Sequence, residues 1–154
     1  MGIGLTKIKH VKLPVSDLQR SVSWYQSLLD LELHTEFVEE GIVRGASLLD
    51  RDGGYEIALR DKAVCAGTIS QGFDFFALSA PSRALLDDVA ARCDRLGVIH
   101  SGILDVPGMG AGMDIPDPDG TVVRVVWTNP DRPPFLGVEA DKNGTGQAYF
   151  TPRS

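Results

Sequence analysis

The sequence predicts an α+β fold of two paired βαβββ modules, which form a concave mixed sheet with the helices outside. Each half of the chain reads as a strand, a helix and three further strands, judged by its apolar periodicity. In both halves an Asp-Gly pair, at residues 52–53 and 119–120, marks a turn before the last strand. One such unit cannot bury both faces of a curved four-stranded sheet, so we expect the two units to associate around a concave cavity.

The composition is that of an ordinary globular protein and disfavours several classes of function. The 154 residues are 43% hydrophobic and 23% charged, with a net charge of −6. We expect no nucleic-acid binding, because that needs a basic surface. We also expect no membrane span and no secretory signal, because no apolar run approaches the roughly 20 residues of a membrane helix. The two cysteines are far apart, which indicates a cytoplasmic protein with free thiols.

The first module is expected over residues 6–60. Residues 8–15 alternate apolar and polar side chains, as a strand with one buried face does. Ser16 followed by Gln19 matches a capping box, so we expect Ser16 to be the N-cap of the next helix. The apolar stripe of that helix contains Leu18, Val22, Tyr25 and Leu29, and the later strands are expected at residues 33–37, 43–49 and 55–60.

The second module is expected over residues 72–128 and repeats this order. An apolar strand at residues 73–80 precedes a helix that begins after Ser82 and ends at Gly97. Cys93 falls on the apolar stripe of this helix, which predicts a buried thiol. The remaining strands are expected at residues 98–106, 111–115 and 121–127.

The predicted domain therefore covers residues 1–128, and residues 129–154 are expected to form an irregular C-terminal tail. Proline and glycine recur throughout this tail, which disfavours regular structure. Four apolar side chains could attach it to the domain: Phe135, Leu136, Tyr149 and Phe150. A partly ordered terminus and a lid over the cavity are both compatible with this pattern.

Two long segments resemble the vicinal oxygen chelate superfamily, which includes glyoxalase I, extradiol dioxygenases and the fosfomycin- and bleomycin-resistance proteins. They are KHVKLPVSDLQRSVSWYQSLLDLEL near the start and RLGVIHSGILDVPGMGAGMDIPDPDGTVVRVVW near the end. The resemblance implies a glyoxalase-like fold whose modules pair either within one chain or between two chains. It also implies a homodimer, which we expect here.

The resemblance further implies where metal-dependent members would bind a metal. Their four ligands are usually His, Glu, His or Glu, and Glu, and the matching positions here are His10, Glu56, Phe75 and Arg124. A phenyl ring cannot bind a metal, and a guanidinium is a permanent cation that repels one. We therefore expect neither a metal nor a cofactor.

The replaced positions predict a ligand cavity instead. An arginine in a partly dry cavity needs a partner, so we expect Glu56 to form an ion pair with Arg124. Lys12 should face the same way as His10, and Met113, in a glycine-rich loop, is adaptable enough to contact a ligand. The predicted cavity residues are His10, Lys12, Glu56, Phe75, Met113 and Arg124. The excess of positive charge among these residues suits an anionic or aromatic small molecule.

Three functions remain open at this point, and no catalytic residue can be named. The first is a metal-independent small-molecule-binding protein of the bleomycin-resistance type, with the ligand between the two modules. The second is a lyase, isomerase or dioxygenase of the same superfamily, with an altered metal site or with acid–base chemistry on Glu56, His10 and Lys12. The third is a non-catalytic regulatory domain with a filled cavity. The loss of two ligand positions favours the first.

Overall fold

The computed structural model describes residues 2–140, 142 and 146–153, and its element order confirms the predicted duplication. The first module contains β1 (Val11–Val15), α1 (Leu18–Leu29), β2 (Glu32–Glu39), β3 (Ile42–Asp50) and β4 (Tyr55–Asp61). A short 3₁₀ helix, Lys62–Val64, follows. The second module contains β5 (Phe76–Ser79), α2 (Arg83–Leu96), β6 (Leu104–Val106), β7 (Gly110–Pro116) and β8 (Val122–Thr128). None of the described helices is long and apolar enough to cross a membrane.

The two sheets have the same strand order. The first sheet runs β1-β4-β3-β2 and the second runs β5-β8-β7-β6. In each sheet the first strand pairs in parallel with the last strand of its module, while the other pairs are antiparallel. Each module is therefore a mixed four-stranded sheet with one helix, as the sequence predicts.

One face of each sheet packs against the helices, and alternation along the strands decides which side chains lie there. In β1, Leu13 and Val15 are buried, whereas Lys12, which precedes Leu13, is exposed on the opposite side of the sheet. In the second sheet, Met113 pairs with Val125 and both are buried in the core. We call the opposite side of each sheet its open face. Other core side chains include Tyr25, Leu48, Ile57, Leu59, Leu86, Cys93, Ile115 and Val123, so the predicted buried thiol is confirmed.

The turn before β8 joins the two modules. The Tyr25 hydroxyl, on α1, donates a hydrogen bond of 2.8 Å to the Asp117 carboxylate. The backbone N–H of Ser16 donates to Asp119 at 3.0 Å, and the Ser16 hydroxyl donates to the same carboxylate. Burial raises the pKa of Asp117, while the hydrogen bond from Tyr25 acts in the opposite direction.

The predicted N-cap of α1, Ser16, is wrong. The N-cap is Asp17, whose side chain accepts a hydrogen bond of 3.0 Å from the Arg20 backbone N–H. Ser16 is unavailable for that role because its hydroxyl is bonded to Asp119 in the other module. The second helix follows the prediction, since Ser82 caps its N-terminus and Gly97, at φ 67°, ends it in the left-handed conformation.

The tail is more regular than the sequence suggests. Strands β9 (Gly137–Ala140) and β10 (Gly146–Tyr149) form an antiparallel hairpin, so the expectation of a wholly irregular tail is wrong. The prolines at positions 130, 133 and 134 precede the hairpin and do not interrupt it. Gly137 allows the Tyr149 ring to lie against the backbone, because a Cβ at that position would be 2.2 Å from the ring.

Candidate ligand-binding site

Arg124 lies on the open face of the second sheet and is held by two carboxylates. Its guanidinium donates two hydrogen bonds to Asp114, at 2.7 and 2.9 Å, and lies 2.7 Å from the Asp74 carboxylate. Asp114 is directly opposite Arg124 in the β7–β8 register, so the two side chains share one face. The hydrogen bonds from Arg124 lower the pKa of the Asp114 carboxyl.

Glu56 has other partners, so the predicted Glu56–Arg124 ion pair is wrong for this chain. Its carboxylate accepts a hydrogen bond from the Ser47 hydroxyl and lies 4.0 Å from the Lys9 ammonium. The Ser47 hydrogen bond lowers the pKa of Glu56, and the nearby charges of Lys9 and His10 add to this effect. Each charged side chain pairs with neighbours in its own module, because those neighbours already lie on the same face.

His10 and Lys12 lie where alternation places them, on the open face of the first sheet. Val11 pairs with Ile57, so His10 and Glu56, which precede these residues, are side by side on adjacent strands. His10 is half-buried and Lys12 is exposed.

Phe75 lies just before β5 and is 50% exposed. Its ring makes an edge contact with Phe73, with the ring centroids 5.0 Å apart. The ring is therefore available to a ligand or a protein surface, and it does not fill a buried void.

A cavity of about 960 Å³ lies against the open face of the second sheet. Its walls come from the second module and from the tail, and they are mostly apolar. Of the six predicted cavity residues, Arg124 and Met113 border it, whereas His10, Lys12, Glu56 and Phe75 do not. The structure therefore brings together only part of the predicted set within one chain.

The predicted role of Met113 needs correction. Its side chain is 2% exposed and belongs to the hydrophobic core, although the residue borders the cavity. The physical reason is strand parity, since β7 begins at Gly110 and therefore turns Met113 toward the helices and Asp114 toward the cavity.

The donor chemistry of the site does not fit a chelated metal. Across residues 2–140, 142 and 146–153, no group of three or more His, Cys, Asp or Glu side chains is arranged to hold a metal ion. At Arg124, the two nearby carboxylates are already paired with a permanent cation. Stable divalent-metal sites need about three or four oxygen, nitrogen or sulfur ligands.

Sequence reasoning missed Asp114, Asp74 and the contribution of the tail to the site. Asp114 could have been found from the turn between β7 and β8. If the pair next to that turn is Pro116 and Val122, then Asp114 lies opposite Arg124. Asp74 and the tail residues carry no comparable signal, since their positions depend on tertiary packing. The tail side chains that border the cavity are Arg132, Phe135, Val138 and Ala148.

The family of the chain follows from a match over most of its length. The sequence model of the Glyoxalase/Bleomycin resistance protein/Dioxygenase superfamily matches residues 7–125 of this chain. The chain belongs to this superfamily. The predicted resemblance and the glyoxalase-like fold are thereby confirmed. A comparison with curated proteins gives no match.

Solved structures with the superfamily fold are similar to this chain over most of their length. Lactoylglutathione lyase from Agrobacterium tumefaciens is 21% identical, with 80% of this chain and 95% of that chain covered and a TM-score of 0.65. The antibiotic-binding protein TnmS3 from a Streptomyces species is 18% identical, with 83% and 100% covered and a TM-score of 0.67.

A third neighbour is a variant of the fosfomycin resistance protein FosX from Listeria monocytogenes, in complex with Mn(II) and a dihydroxypropylphosphonic acid. It is 16% identical, with 83% of this chain and 96% of that chain covered and a TM-score of 0.67. At these identities the likeness establishes the fold, while the chemistry of this superfamily member depends on its own site.

Proposed function

We propose that this superfamily member is a metal-independent small-molecule-binding protein. The observation that carries the proposal is the cavity of about 960 Å³, which has mostly apolar walls and lies beside Arg124. Ligand cavities in proteins are commonly about 300–1,000 Å³, with apolar walls and a few polar groups. The family resemblance implies that Arg124 matches a metal-ligand position of metal-dependent relatives, and here its guanidinium is paired with Asp114 and Asp74.

The side chains near the site favour binding over acid–base catalysis. A general base works best when its pKa is near the operating pH. The pKa of Glu56 is lowered by Ser47, and that of Asp114 is lowered by Arg124, so both carboxylates are poor bases at neutral pH. Two neighbours, an antibiotic-binding protein and a fosfomycin resistance protein, support a small-molecule ligand.

We further propose a homodimer, based on apolar side chains that a single chain leaves exposed. At the end of the β2–β3 hairpin, Phe37, Val38, Ile42 and Val43 are 41–58% exposed, and Val38 pairs with Val43. Contiguous apolar patches on a protein surface commonly mark an interface. Sedimentation equilibrium should give twice the chain mass, and Phe37→Lys should shift the protein toward monomer. A wild-type monomer at high concentration would contradict the dimer.

The binding proposal is tested with a neutral aromatic dye, N-phenylnaphthylamine, in the presence of EDTA. We expect saturable fluorescence enhancement that EDTA does not change. Gly112→Leu should weaken dye binding at least about tenfold, because the leucine side chain would project into the cavity and occupy space that the dye needs. A Cβ at Gly112 would lie 3.4 Å from the Val125 carbonyl oxygen, an ordinary contact, so the sheet accommodates the change.

The thermal unfolding midpoint of Gly112→Leu serves as the control for folding. Dye binding that is unaffected in this variant would place the ligand elsewhere and contradict the proposal. Dye binding or turnover that requires an added divalent metal would favour the alternative, a metal-dependent lyase, isomerase or dioxygenase.

A further inference from the structure

The C-terminal segment, residues 129–140 and 146–149, forms one wall of the cavity. In its hairpin, Val138 pairs directly with Ala148, and both border the cavity. Because side chains alternate along a strand, the neighbouring pair Gly137 and Tyr149 lies on the other side of the hairpin. One side of the hairpin is therefore directed at the second sheet.

Hydrogen bonds attach the start of this segment to the second module. The Asn129 backbone N–H donates to the Met109 carbonyl at 2.9 Å. The Asn129 side-chain amide donates to the Gly108 carbonyl at 3.1 Å. These bonds fix the point at which the chain leaves β8, and Arg132 and Phe135 follow within six residues of Asn129.

The charges on the cavity wall are unequally neutralised. The Arg124 guanidinium is paired with Asp114 and Asp74. Arg132 also borders the cavity, and among the described residues no carboxylate lies within ion-pair distance of it. Its guanidinium carbon lies 4.8 Å from the centroid of the Phe135 ring. The wall therefore presents a positive charge next to an aromatic face.

We propose that Arg132 and Phe135 make the cavity selective for an amphipathic anion, an aromatic or apolar molecule that carries one carboxylate, sulfonate or phosphonate. The inference depends on the proposed binding function and specifies its ligand class. The apolar part lies against Phe135, Val138 and the second sheet, while the acidic group accepts hydrogen bonds from Arg132. Among the residues that the structure describes on this wall, the Arg132 guanidinium has no carboxylate partner, so its donors can bind an anion.

The test compares two dyes that share an apolar body and differ in charge. Anilinonaphthalene sulfonate carries a sulfonate, and N-phenylnaphthylamine is neutral. We expect Arg132→Gln to weaken sulfonate-dye binding about tenfold, as expected for loss of a charge-assisted hydrogen bond, and to leave neutral-dye binding unchanged. Arg132→Lys, which keeps the charge, should restore part of the affinity.

Arg153→Gln is the matched control, because it removes the same charge from the same C-terminal tail. The Arg153 guanidinium lies over Tyr149 at 4.3 Å and pairs with Glu139 at 2.5 Å, so it is engaged away from the cavity. We expect this variant to bind both dyes as the wild type does. An equal effect of Arg132→Gln and Arg153→Gln on the sulfonate dye would indicate a general charge effect and overturn the inference.

The two proposals fail in different ways. If the wild type binds neither dye, the proposed binding function fails. If the wild type binds both dyes and Arg132→Gln changes neither affinity, or lowers both equally, only the selectivity inference is overturned. Equal lowering would show that Arg132 holds the segment in place through Phe135 and does not contact the anion.

Discussion

The hydrogen bond between Tyr25 and Asp117 is expected to stabilise the junction of the two modules. Tyr25 is fully buried and Asp117 is 6% exposed. Tyr25→Phe keeps the ring packing and removes only the donor, while Asp117 still accepts from the backbone N–H groups of Asp119 and Thr121. A hydrogen bond to a charged group contributes about 1.5–3 kcal/mol. At about 2–4 °C per kcal/mol for a chain of this size, Tm should fall by about 3–12 °C.

This destabilisation should depend on pH. Burial raises the pKa of Asp117, so the folded protein holds a proton that the unfolded chain releases, and stability falls as pH rises through that interval. The Tyr25 hydroxyl opposes this effect by favouring the carboxylate, so its removal raises the pKa of Asp117 further. Tyr25→Phe should therefore cost more free energy of unfolding at neutral pH than in acid.

Urea unfolding of the wild type and Tyr25→Phe, at about pH 7 and about pH 4, measures both effects. Tyr149→Phe, in the tail hairpin, is the control for loss of a tyrosine hydroxyl outside the junction, and it should change stability little. A destabilisation below about 0.5 kcal/mol at neutral pH, the level of an ordinary surface substitution, would refute the reasoning. So would a larger effect in acid.

Two further predictions concern β7 and its partner strand. Gly110→Ala should destabilise the protein by more than about 2 kcal/mol, because its Cβ would lie 2.3 Å from the Trp127 carbonyl oxygen. Gly112→Ala should cost less than about 1 kcal/mol, because its Cβ meets no such close contact. Chemical denaturation measures both changes in stability, and equal destabilisation by the two variants would contradict this prediction. Arg124→Gln should raise the pKa of Asp114, because the hydrogen bonds from Arg124 hold that pKa low. As acid is added, the stability that the Asp114 carboxylate confers should then be lost at a higher pH than in the wild type. An NMR titration of the carboxyl group that shows no upward pKa shift would contradict this prediction.

The order of elements was predictable because local patterns determine it. Alternation in β1 and β4 places Leu13 and Ile57 in the core and Lys12 on the open face. The turn at residues 117–120 and the cap at Gly97 are also local, and both appear as predicted.

The site was less predictable because its contacts depend on register and tertiary packing. Alternation indicates that Glu56 and Arg124 face away from the core, but it does not say which carboxylates pair with Arg124. The partners are Asp114, which the β7–β8 register determines, and Asp74. If β7 began one residue earlier or later in phase, Met113 would face the cavity in place of Asp114. The sequence does not determine that phase, because the segment is rich in glycine.

The tail illustrates a second limit of sequence reasoning. A proline-rich stretch followed by a short hairpin has the same composition as an irregular terminus. Its placement depends on Asn129 bonding to Gly108 and Met109, which is a contact between distant parts of the fold.

We propose that the Arg124 guanidinium, which is paired with Asp114 and Asp74, replaces a metal ligand of metal-dependent relatives. The most direct test is elemental analysis of freshly purified, unchelated protein, together with zinc titration by calorimetry. We predict less than about 0.1 equivalent of Ni, Zn, Fe or Mn per chain and no submicromolar zinc affinity, because tight binding needs a preformed ligand set. One equivalent of a single metal per chain, or a submicromolar zinc affinity, would contradict the account.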